Sequence, residues 1–207
     1  MLTARPKARI AVLVSGGGTN LQALIDAEKA GKIKSGKIEL VISSNPEAYA
    51  LERAKNADIP ALCVARGADF EEKIVEALES YDIDLIVLAG FLSILSEDFT
   101  RRYDRRILNV HPSLIPAFCG KGYYGLRVHE AALSRGVRLT GATVHFVNEI
   151  PDGGEIIMQK AVAVRAGDDA KTLQRRVMEE AEWKILPASV EKVSARMRRS
   201  GATVRSK

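Results

Sequence analysis

Short apolar runs alternate with segments of helical periodicity over the first half of the chain. The runs are rich in Val, Ile, Leu and Ala, which is typical of strands buried on both faces. The predicted strands are Ala8–Ser15, Ile38–Ser43, Pro60–Val64, Leu85–Ala89 and Ile107–Val110, and the predicted helices begin near Leu21, Pro46, Asp69 and Glu97. Repeated units of this kind predict an α/β fold with a doubly wound, mostly parallel, Rossmann-like sheet. Such sheets bind ligands beyond the carboxyl ends of their strands.

The pattern changes after Ser113. Residues 113–125 are rich in proline, glycine and tyrosine and predict a loop, which lies beside the site proposed below and is suited to gate it. A short helix, Val128–Arg135, is expected to follow and to end at glycine. Two β-rich runs, Gly141–Val147 and Glu155–Val164, predict an antiparallel C-terminal hairpin at the edge of the sheet.

Helical periodicity returns over residues 169–197, where we expect a long final helix with a kink or break at Pro187. The last residues are polar and basic. We therefore expect a single domain over residues 1–198 and a flexible basic tail over 199–207.

Composition narrows the class of protein. The chain has 207 residues, of which 46% are hydrophobic and 28% charged, as in ordinary globular proteins, and no apolar stretch has the length of a membrane span. The net charge of +5 comes from basic residues spread along the chain, so we expect neither a membrane nor a nucleic acid as partner. Cys63 and Cys119 are far apart, which predicts free thiols and no metal site. The N-terminus resembles no secretory signal, and we expect a cytoplasmic location.

The chemistry begins at the end of the strand before Pro112. Side chains alternate along a strand, so Asn109 and His111 are expected on the same side of the sheet. An amide that can donate to a developing oxyanion then lies beside a ring that carries a proton near neutral pH. A hydrogen-bonded structural histidine is the alternative, and the tetrapeptide alone does not exclude it.

A glycine-rich turn, Gly16–Asn20, connects the first strand to the first helix. Backbone N–H groups in such a turn can approach an anion at the positive end of the helix dipole, which predicts a phosphate site. The turn lacks the third glycine of a dinucleotide fingerprint, because Leu21 stands in its place. A tight turn without a ligand is the alternative.

Three other polar residues also bear on the site. Asp152 lies in a predicted turn, and taken alone it is typical of a turn former. The turn can also fold back toward the strand ends, where the charge of Asp152 would favour the imidazolium form of His111. His145 is expected to belong to the core or to support the site. His129, near the start of a helix, is expected to be exposed.

Several motifs in the same order carry a resemblance to a known family. They are Ser15–Leu24, Val87–Phe91, Asn109–Pro116, Thr143–Val147 and Asp152–Gly154. Together they resemble the phosphoribosylglycinamide formyltransferases, the folate-dependent enzymes of purine synthesis. The similarity extends from the first strand to the last helix.

The resemblance implies a transferase that moves a formyl group from 10-formyltetrahydrofolate to the amine of 5-phosphoribosylglycinamide, with no metal and with a possible homodimer. It implies that Asn109, His111 and Asp152 are catalytic. The residues that it implies for binding are Gly18, Thr19 and Asn20 for the substrate phosphate, Glu182 for the same substrate, and Arg66, Leu92, Ser93, Ile94, Leu95 and Asn109 for the folate.

The sequence departs from a common family form at three places. Trp183 stands where many relatives have histidine, and Leu92–Ser93 stands where many have methionine and arginine. The loop Cys119–Gly125 is longer than usual.

The sequence leaves three alternative functions open. A hydrolase that releases formate from the same folate would use the same catalytic residues, although it would have little use for the glycine turn. A formyltransferase acting on initiator tRNA would be expected to carry a further C-terminal module. A non-catalytic phosphate- or folate-binding module would use the turn and leave His111 a structural residue.

Overall fold

A computed structural model of the chain describes residues 6–200. In chain order the elements are β1 (Ala8–Val14), α1 (Thr19–Lys29), β2 (Gly36–Ser43), α2 (Tyr49–Lys55), β3 (Ala61–Cys63), α3 (Phe70–Ser80), β4 (Leu85–Leu88), α4 (Glu97–Arg102), β5 (Ile107–His111), α5 (Leu126–Arg135), β6 (Leu139–Phe146), β7 (Ile156–Ala163), α6 (Ala170–Val177), a π-helical segment (Met178–Glu182) and α7 (Trp183–Ser200). The predicted elements are present, with ends that differ by a few residues, because pairing rather than apolar character decides where an element stops.

The described chain forms two compact units. The first contains the residues up to Leu95 together with those from Val190 onward, and the second is Ser96–Ser189. The glycine turn belongs to the first unit, whereas Asn109, His111 and Asp152 belong to the second.

The first unit is built on four parallel strands in the order β3-β2-β1-β4. The inner strand β1 has neighbours on both sides, and Val12 pairs with Val41 of β2 and with Val87 of β4. All residues of β1 except Arg9 are fully buried. Burial on both faces explains why this strand is a continuous apolar run instead of an alternating one.

The second unit contains three antiparallel strands in the order β5-β6-β7. On β5, Asn109 is paired with His145 of β6, and His111 is paired with Thr143. The register between β6 and β7 shifts between Val144 and His145, a local irregularity beside these polar residues. The predicted C-terminal hairpin is confirmed. With the parallel strands of the first unit and the long α7, it confirms the predicted fold class.

The irregularity in the last helical region lies before Pro187 instead of at it. Asp169 begins this region, because its carboxylate accepts a 2.7 Å hydrogen bond from the Thr172 amide and caps α6. The helix then widens into the π-helical segment, and α7 runs through Pro187 without ending. Proline has no N–H and crowds the carbonyl one turn earlier, yet the helix continues past Pro187, and the widened turn lies before it, at Met178–Glu182.

Two predictions concern the ends of the chain and its relation to membranes. Residues 201–207, most of the predicted basic tail, lie outside the described residues, and α7 continues through Arg199 to Ser200. Across residues 6–200, the helices are all too short or too polar to cross a lipid bilayer.

Candidate active site

Asn109 and His111 lie near the carboxyl end of β5, on the same side of the strand, as the alternation predicts. His111 is buried and Asn109 is half-buried. Asp152, in the turn between β6 and β7, completes the cluster. The three catalytic candidates of the sequence therefore lie together within the second unit.

Asp152 has a left-handed backbone conformation, with a φ of 57°. This conformation is uncommon for residues other than glycine, although aspartate tolerates it better than most. The carboxylate Oδ2 accepts a 2.8 Å hydrogen bond from the main-chain N–H of Gly120, and Oδ1 accepts one of 3.4 Å from Asn109 Nδ2. Its two oxygens also face two imidazole rings: Oδ2 is 3.5 Å from His111 Nδ1, and Oδ1 is 3.5 Å from His145 Nε2.

His145 holds the amide of Asn109. Its Nδ1 lies 2.7 Å from the carbonyl oxygen of Phe146. A carbonyl oxygen only accepts hydrogen bonds, so Nδ1 carries the proton and Nε2 of the neutral ring is an acceptor. Asn109 Nδ2 lies 3.2 Å from that Nε2 and donates to it. The expectation that His145 supports the site agrees with this contact, which orients the catalytic candidate Asn109.

The same reasoning fixes the protonation of His111. Its Nε2 lies 2.8 Å from the carbonyl oxygen of Phe118, so this nitrogen carries a proton in either charge state. The other nitrogen, Nδ1, faces Asp152. A second proton on the ring would therefore sit at Nδ1, between the ring and the carboxylate.

The charge states of Asp152 and His111 agree only in part with the expectation that Asp152 favours the imidazolium form. Burial alone would raise the pKa of Asp152, but the adjacent His145 and His111 rings and the Gly120 N–H outweigh burial and hold that pKa below its ordinary value. Burial lowers the pKa of His111, and this effect exceeds the opposite effects of Asp152 and the Phe118 carbonyl. Asp152 favours the imidazolium form, as expected, but the ring is more often neutral than an exposed histidine.

The expectation for His129 is wrong. This residue of α5 is 0% exposed, and within residues 6–200 neither of its ring nitrogens has a hydrogen-bond partner. Burial, with a smaller contribution from His111, lowers the pKa of His129 to about 4. The helix begins at Leu126, earlier than predicted, so His129 lies within its first turns and faces the core.

In the first unit, the glycine turn is shaped by contacts with α2. Gly18 has a φ of 70°, and a Cβ at this position would lie 2.7 Å from the Cβ of Ala50. Arg53 Nε donates a 2.8 Å hydrogen bond to the carbonyl of Gly17, and the Ala50 amide donates one of 3.1 Å to Gly16. Both bonds use carbonyl groups of the turn. Gly18 caps α1, and Thr19 and Asn20 form its first turn, where the dipole favours an anion.

The residues that the resemblance implies for folate also lie in the first unit. Arg66 Nε donates a 3.0 Å hydrogen bond to the hydroxyl of Ser93. The main-chain N–H of Leu92 donates a 3.0 Å bond to the hydroxyl of Ser15, which begins the glycine turn. Leu92 and Ile94 are 59% and 78% exposed, whereas Leu95 is buried. This segment thus presents an apolar surface next to a guanidinium group.

Glu182 lies at the end of the π-helical segment and is buried. Trp183, the departure from the common family form, begins α7 directly after it, and its indole Nε1 is buried without a hydrogen-bond partner within residues 6–200. In that same range no group of three or more His, Cys, Asp or Glu side chains is arranged to hold a metal ion.

Sequence reasoning missed the main-chain groups that contact the cluster. The Phe118 carbonyl and the Gly120 N–H bind His111 and Asp152, and both belong to the loop after β5. Only the glycine and proline content of this loop marks it in the sequence, because backbone groups have no signature in residue type.

Comparison with known proteins defines the class. The family model described as formyl transferase matches residues 8–190 of this chain. Phosphoribosylglycinamide formyltransferase of Haemophilus influenzae is 43% identical over 184 residues, which cover 86% of this chain and 84% of that protein. A crystal structure of phosphoribosylglycinamide formyltransferase from Anaplasma phagocytophilum is 38% identical, with a TM-score of 0.84, and the match covers 92% of this chain and 88% of that one. This confirms the predicted fold class and the resemblance.

The chain therefore belongs to the phosphoribosylglycinamide formyltransferase family. A human relative, the trifunctional purine biosynthetic protein adenosine-3, is 43% identical over 196 residues, which is 92% of this chain. The chain spans only 19% of the length of that relative, and 58% of a chloroplast phosphoribosylglycinamide formyltransferase from Vigna unguiculata.

Proposed function

We propose that this chain transfers a formyl group from 10-formyltetrahydrofolate to the amine of 5-phosphoribosylglycinamide, a step of purine biosynthesis. The observation that carries the proposal is the cluster of Asn109, His111 and Asp152, since its donors and its ionised carboxylate match the needs of formyl transfer. Membership of the family supports the choice of both substrates.

The reaction sets clear requirements. The amine attacks the formyl carbon, and a C–N bond forms as the carbonyl oxygen becomes negative. The C–N bond to N10 of the folate then breaks, and one proton that leaves the attacking amine ends on N10. The site therefore needs a donor for the oxyanion and a group that takes up one proton and releases it again.

In this proposal Asn109 is the oxyanion donor. Its Nδ2 is held by His145 Nε2 and by Asp152 Oδ1, at 3.2 and 3.4 Å. One N–H stays bonded to His145 Nε2 and holds the amide in place, and the other gives up its long 3.4 Å contact with Asp152 to donate to the oxyanion. Such preorganisation is what makes an oxyanion donor effective, because little reorganisation is needed as the charge develops.

His111 and Asp152 are the proton-transfer pair. The ring is neutral at rest, because burial lowers the pKa of His111, and Nδ1 is the site that remains for a proton. A proton from the attacking amine, passed directly or through a bound water, is held at Nδ1 beside the Asp152 carboxylate and then delivered to N10.

The remaining assignments concern substrate binding. We assign Gly18, Thr19 and Asn20 to the phosphate of 5-phosphoribosylglycinamide, because main-chain N–H groups and a helix dipole favour an anion there. Glu182 is assigned to the same substrate by resemblance. Arg66, Asn109 and the segment Leu92–Leu95 are assigned to the folate, and the exposed Leu92 and Ile94 support this assignment.

The test is formyl transfer from 10-formyltetrahydrofolate, measured with and without 5-phosphoribosylglycinamide. We compare the wild type, His111→Ala and the matched surface variant Lys73→Ala, which removes an exposed ion pair of α3. Folate turnover that requires the amine and collapses only in His111→Ala is the expected result. Formate release without the amine would establish the hydrolase instead, and folate binding without turnover would establish a binding module.

Cytoplasmic location and assembly as a homodimer are part of the proposal, with no nucleic acid or membrane as partner. Fractionation of the source cells tests the location, and sedimentation equilibrium of the full chain tests the assembly. A single species of monomer mass at micromolar concentration would rule out the homodimer.

A further inference from the structure

The segment after β5, Ser113–Gly120, is fastened at both ends. At its far end, the Phe118 carbonyl accepts from His111 Nε2 and the Gly120 N–H donates to Asp152 Oδ2, each at 2.8 Å. Both members of the proton-transfer pair thus depend on where this short segment lies.

At its near end, the segment is bound by side chains of the β6–β7 hairpin. The hydroxyl of Thr143 donates a 2.7 Å hydrogen bond to the Ser113 carbonyl and accepts one of 3.1 Å from the Ile115 N–H. Gln159 Nε2 donates to the same hydroxyl at 3.0 Å and to the Ile115 carbonyl at 2.9 Å. The Thr143 hydroxyl therefore uses its one proton and both of its lone pairs.

Thr143 and Gln159 are directly paired across the two strands, which brings their side chains together. Gln159 is exposed on β7, so packing does not explain why its amide is held by two bonds. Gln159 binds the Ile115 carbonyl directly, and it binds the Thr143 hydroxyl that accepts from the Ile115 N–H. Both main-chain polar groups of Ile115 are thus held by the hairpin.

Hydrogen bonds within the segment connect its near end to Ala117. The Ser113 hydroxyl donates a 2.5 Å hydrogen bond to the Ala117 carbonyl, and the Ala117 N–H donates one of 3.0 Å to the Leu114 carbonyl. These bonds span the distance between the two fastened ends. They tie the near end of the segment, at Ser113 and Leu114, to Ala117, which directly precedes Phe118.

We propose that Gln159 is a positioning residue for formyl transfer. It acts through Thr143 and Ile115, holding the Ser113–Gly120 segment where its backbone meets His111 and Asp152. The inference rests on the proposed function, and it adds a residue that lies outside the catalytic cluster and contacts neither substrate nor reacting atoms.

The test uses the full chain with Gln159→Leu, which removes the side-chain amide and with it both hydrogen bonds to Thr143 and Ile115. Lys160→Leu, the adjacent exposed residue of β7, is the matched control. We expect kcat to fall about tenfold in Gln159→Leu, with KM for both substrates within about twofold of the wild type, since the loss of one or two positioning hydrogen bonds has about this size. Lys160→Leu should have wild-type kcat.

A spectroscopic readout separates positioning from general loosening. In ¹⁵N-histidine-labelled protein, the His111 Nε2–H resonance, assigned by its absence in His111→Ala, reports the bond to the Phe118 carbonyl. We expect this signal to weaken or shift in Gln159→Leu and to stay unchanged in Lys160→Leu. Thr143→Ser, which keeps the hydroxyl, should resemble the wild type, and Thr143→Val should resemble Gln159→Leu.

Two results would overturn the proposal: a Gln159→Leu protein with wild-type kcat, or one whose His111 Nε2–H signal is unaltered. If the wild type itself transfers no formyl group, the proposed function fails. The resonance still decides in that case whether Gln159 positions the segment.

Discussion

His111 Nδ1 lies 3.5 Å from Asp152 Oδ2, and the other ring nitrogen is bound to a carbonyl oxygen. A proton added to the ring thus has one position, and in that position it is shared with a carboxylate. The charge of Asp152 thus favours a proton on His111, against the opposing effect of burial on the ring.

The first prediction concerns Asp152→Asn. This change keeps the shape of the side chain and removes the charge that favours a proton on His111, so the pKa of His111 falls further. We expect kcat to fall at least about a hundredfold, a typical loss for a positioned acid–base group. The acid limb of the pH–rate profile should move to lower pH, because the ring stays neutral and able to accept a proton further into the acid range.

Steady-state rates of both proteins across pH 4.5 to 8 provide this measurement. A variant whose acid limb moves upward would show that Asp152 does not stabilise the protonated ring. Near-normal kcat at pH 7 would remove Asp152 from the mechanism.

The second prediction concerns Asn109→Ala. The loss of one preorganised oxyanion donor costs on the order of a hundredfold to a thousandfold in rate. We expect a loss of this size in kcat, with His145→Ala giving a smaller loss, because that change frees the amide without removing it. Stopped-flow measurement of folate turnover separates the chemical step from product release. Turnover within about tenfold of the wild type in Asn109→Ala would contradict the assignment.

The site illustrates which parts of a structure are visible in a sequence. The alternation of Asn109 and His111 along a strand that ends at a proline is a local pattern, and it predicts their common side. The turn that contains Asp152 also follows from the hairpin pattern, but the catalytic role of its side chain comes only from the family resemblance, because an aspartate in such a turn can equally be a turn former. The contacts of Phe118 and Gly120 do not follow, because they use backbone groups and depend on the path of a whole loop.

His129 shows the opposite limit. Its sequence neighbours suggest a helix start, where polar side chains are usually exposed, but tertiary packing turns it into the core. Pro187 is similar, because the pattern shows that the helix must be disturbed and cannot show that the widened turn lies before the proline. Periodicity defines which face of an element is apolar, and it does not define which polar residue on that face is buried.

The third prediction concerns Gly18→Ala. A Cβ here would lie 2.7 Å from Ala50 Cβ and 2.9 Å from Ala50 Cα, and the φ of 70° disfavours a side chain. We expect a loss of about 2 kcal/mol in the free energy of unfolding and an increase in KM for the phosphorylated substrate, with a smaller change in kcat. Urea denaturation and steady-state kinetics measure the two effects.

Two further variants control this prediction. A Cβ on Gly16 meets no atom within 4 Å. The free energy of unfolding of Gly16→Ala should therefore lie within about 0.5 kcal/mol of the wild-type value. Adding Ala50→Gly to Gly18→Ala removes the contact between the two Cβ atoms but leaves the 2.9 Å approach to the Cα of residue 50 and the backbone strain, so the free energy of unfolding should recover only in part. Equal losses in Gly16→Ala and Gly18→Ala would show that the contact with Ala50 is not the cause.

The fourth prediction concerns the pH dependence of stability. His129 has a pKa of about 4 in the folded protein, lowered by burial, against an ordinary value of 6.5. Above pH 6.5 the ring is neutral in both the folded and the unfolded protein, and its contribution to the free energy of unfolding is fully present. As the pH falls from 6.5 to about 4, only the unfolded chain takes up the proton, so the free energy of unfolding decreases, by about 3 kcal/mol in total.

His129→Leu removes the titrating ring, along with two buried nitrogens that have no partners within residues 6–200. At pH 7 we expect the free energy of unfolding to be equal to or greater than that of the wild type, because an unpaired buried polar group is costly. Between pH 6.5 and 4 the stability of the variant should decline less steeply. Urea denaturation at pH 7, 5.5 and 4.5 measures the free energy of unfolding of both proteins. The contributions of the carboxylates are the same in the two and largely cancel in the difference. Parallel curves would mean that His129 takes up its proton equally in the folded and unfolded states, and its burial would then have no role in acid sensitivity.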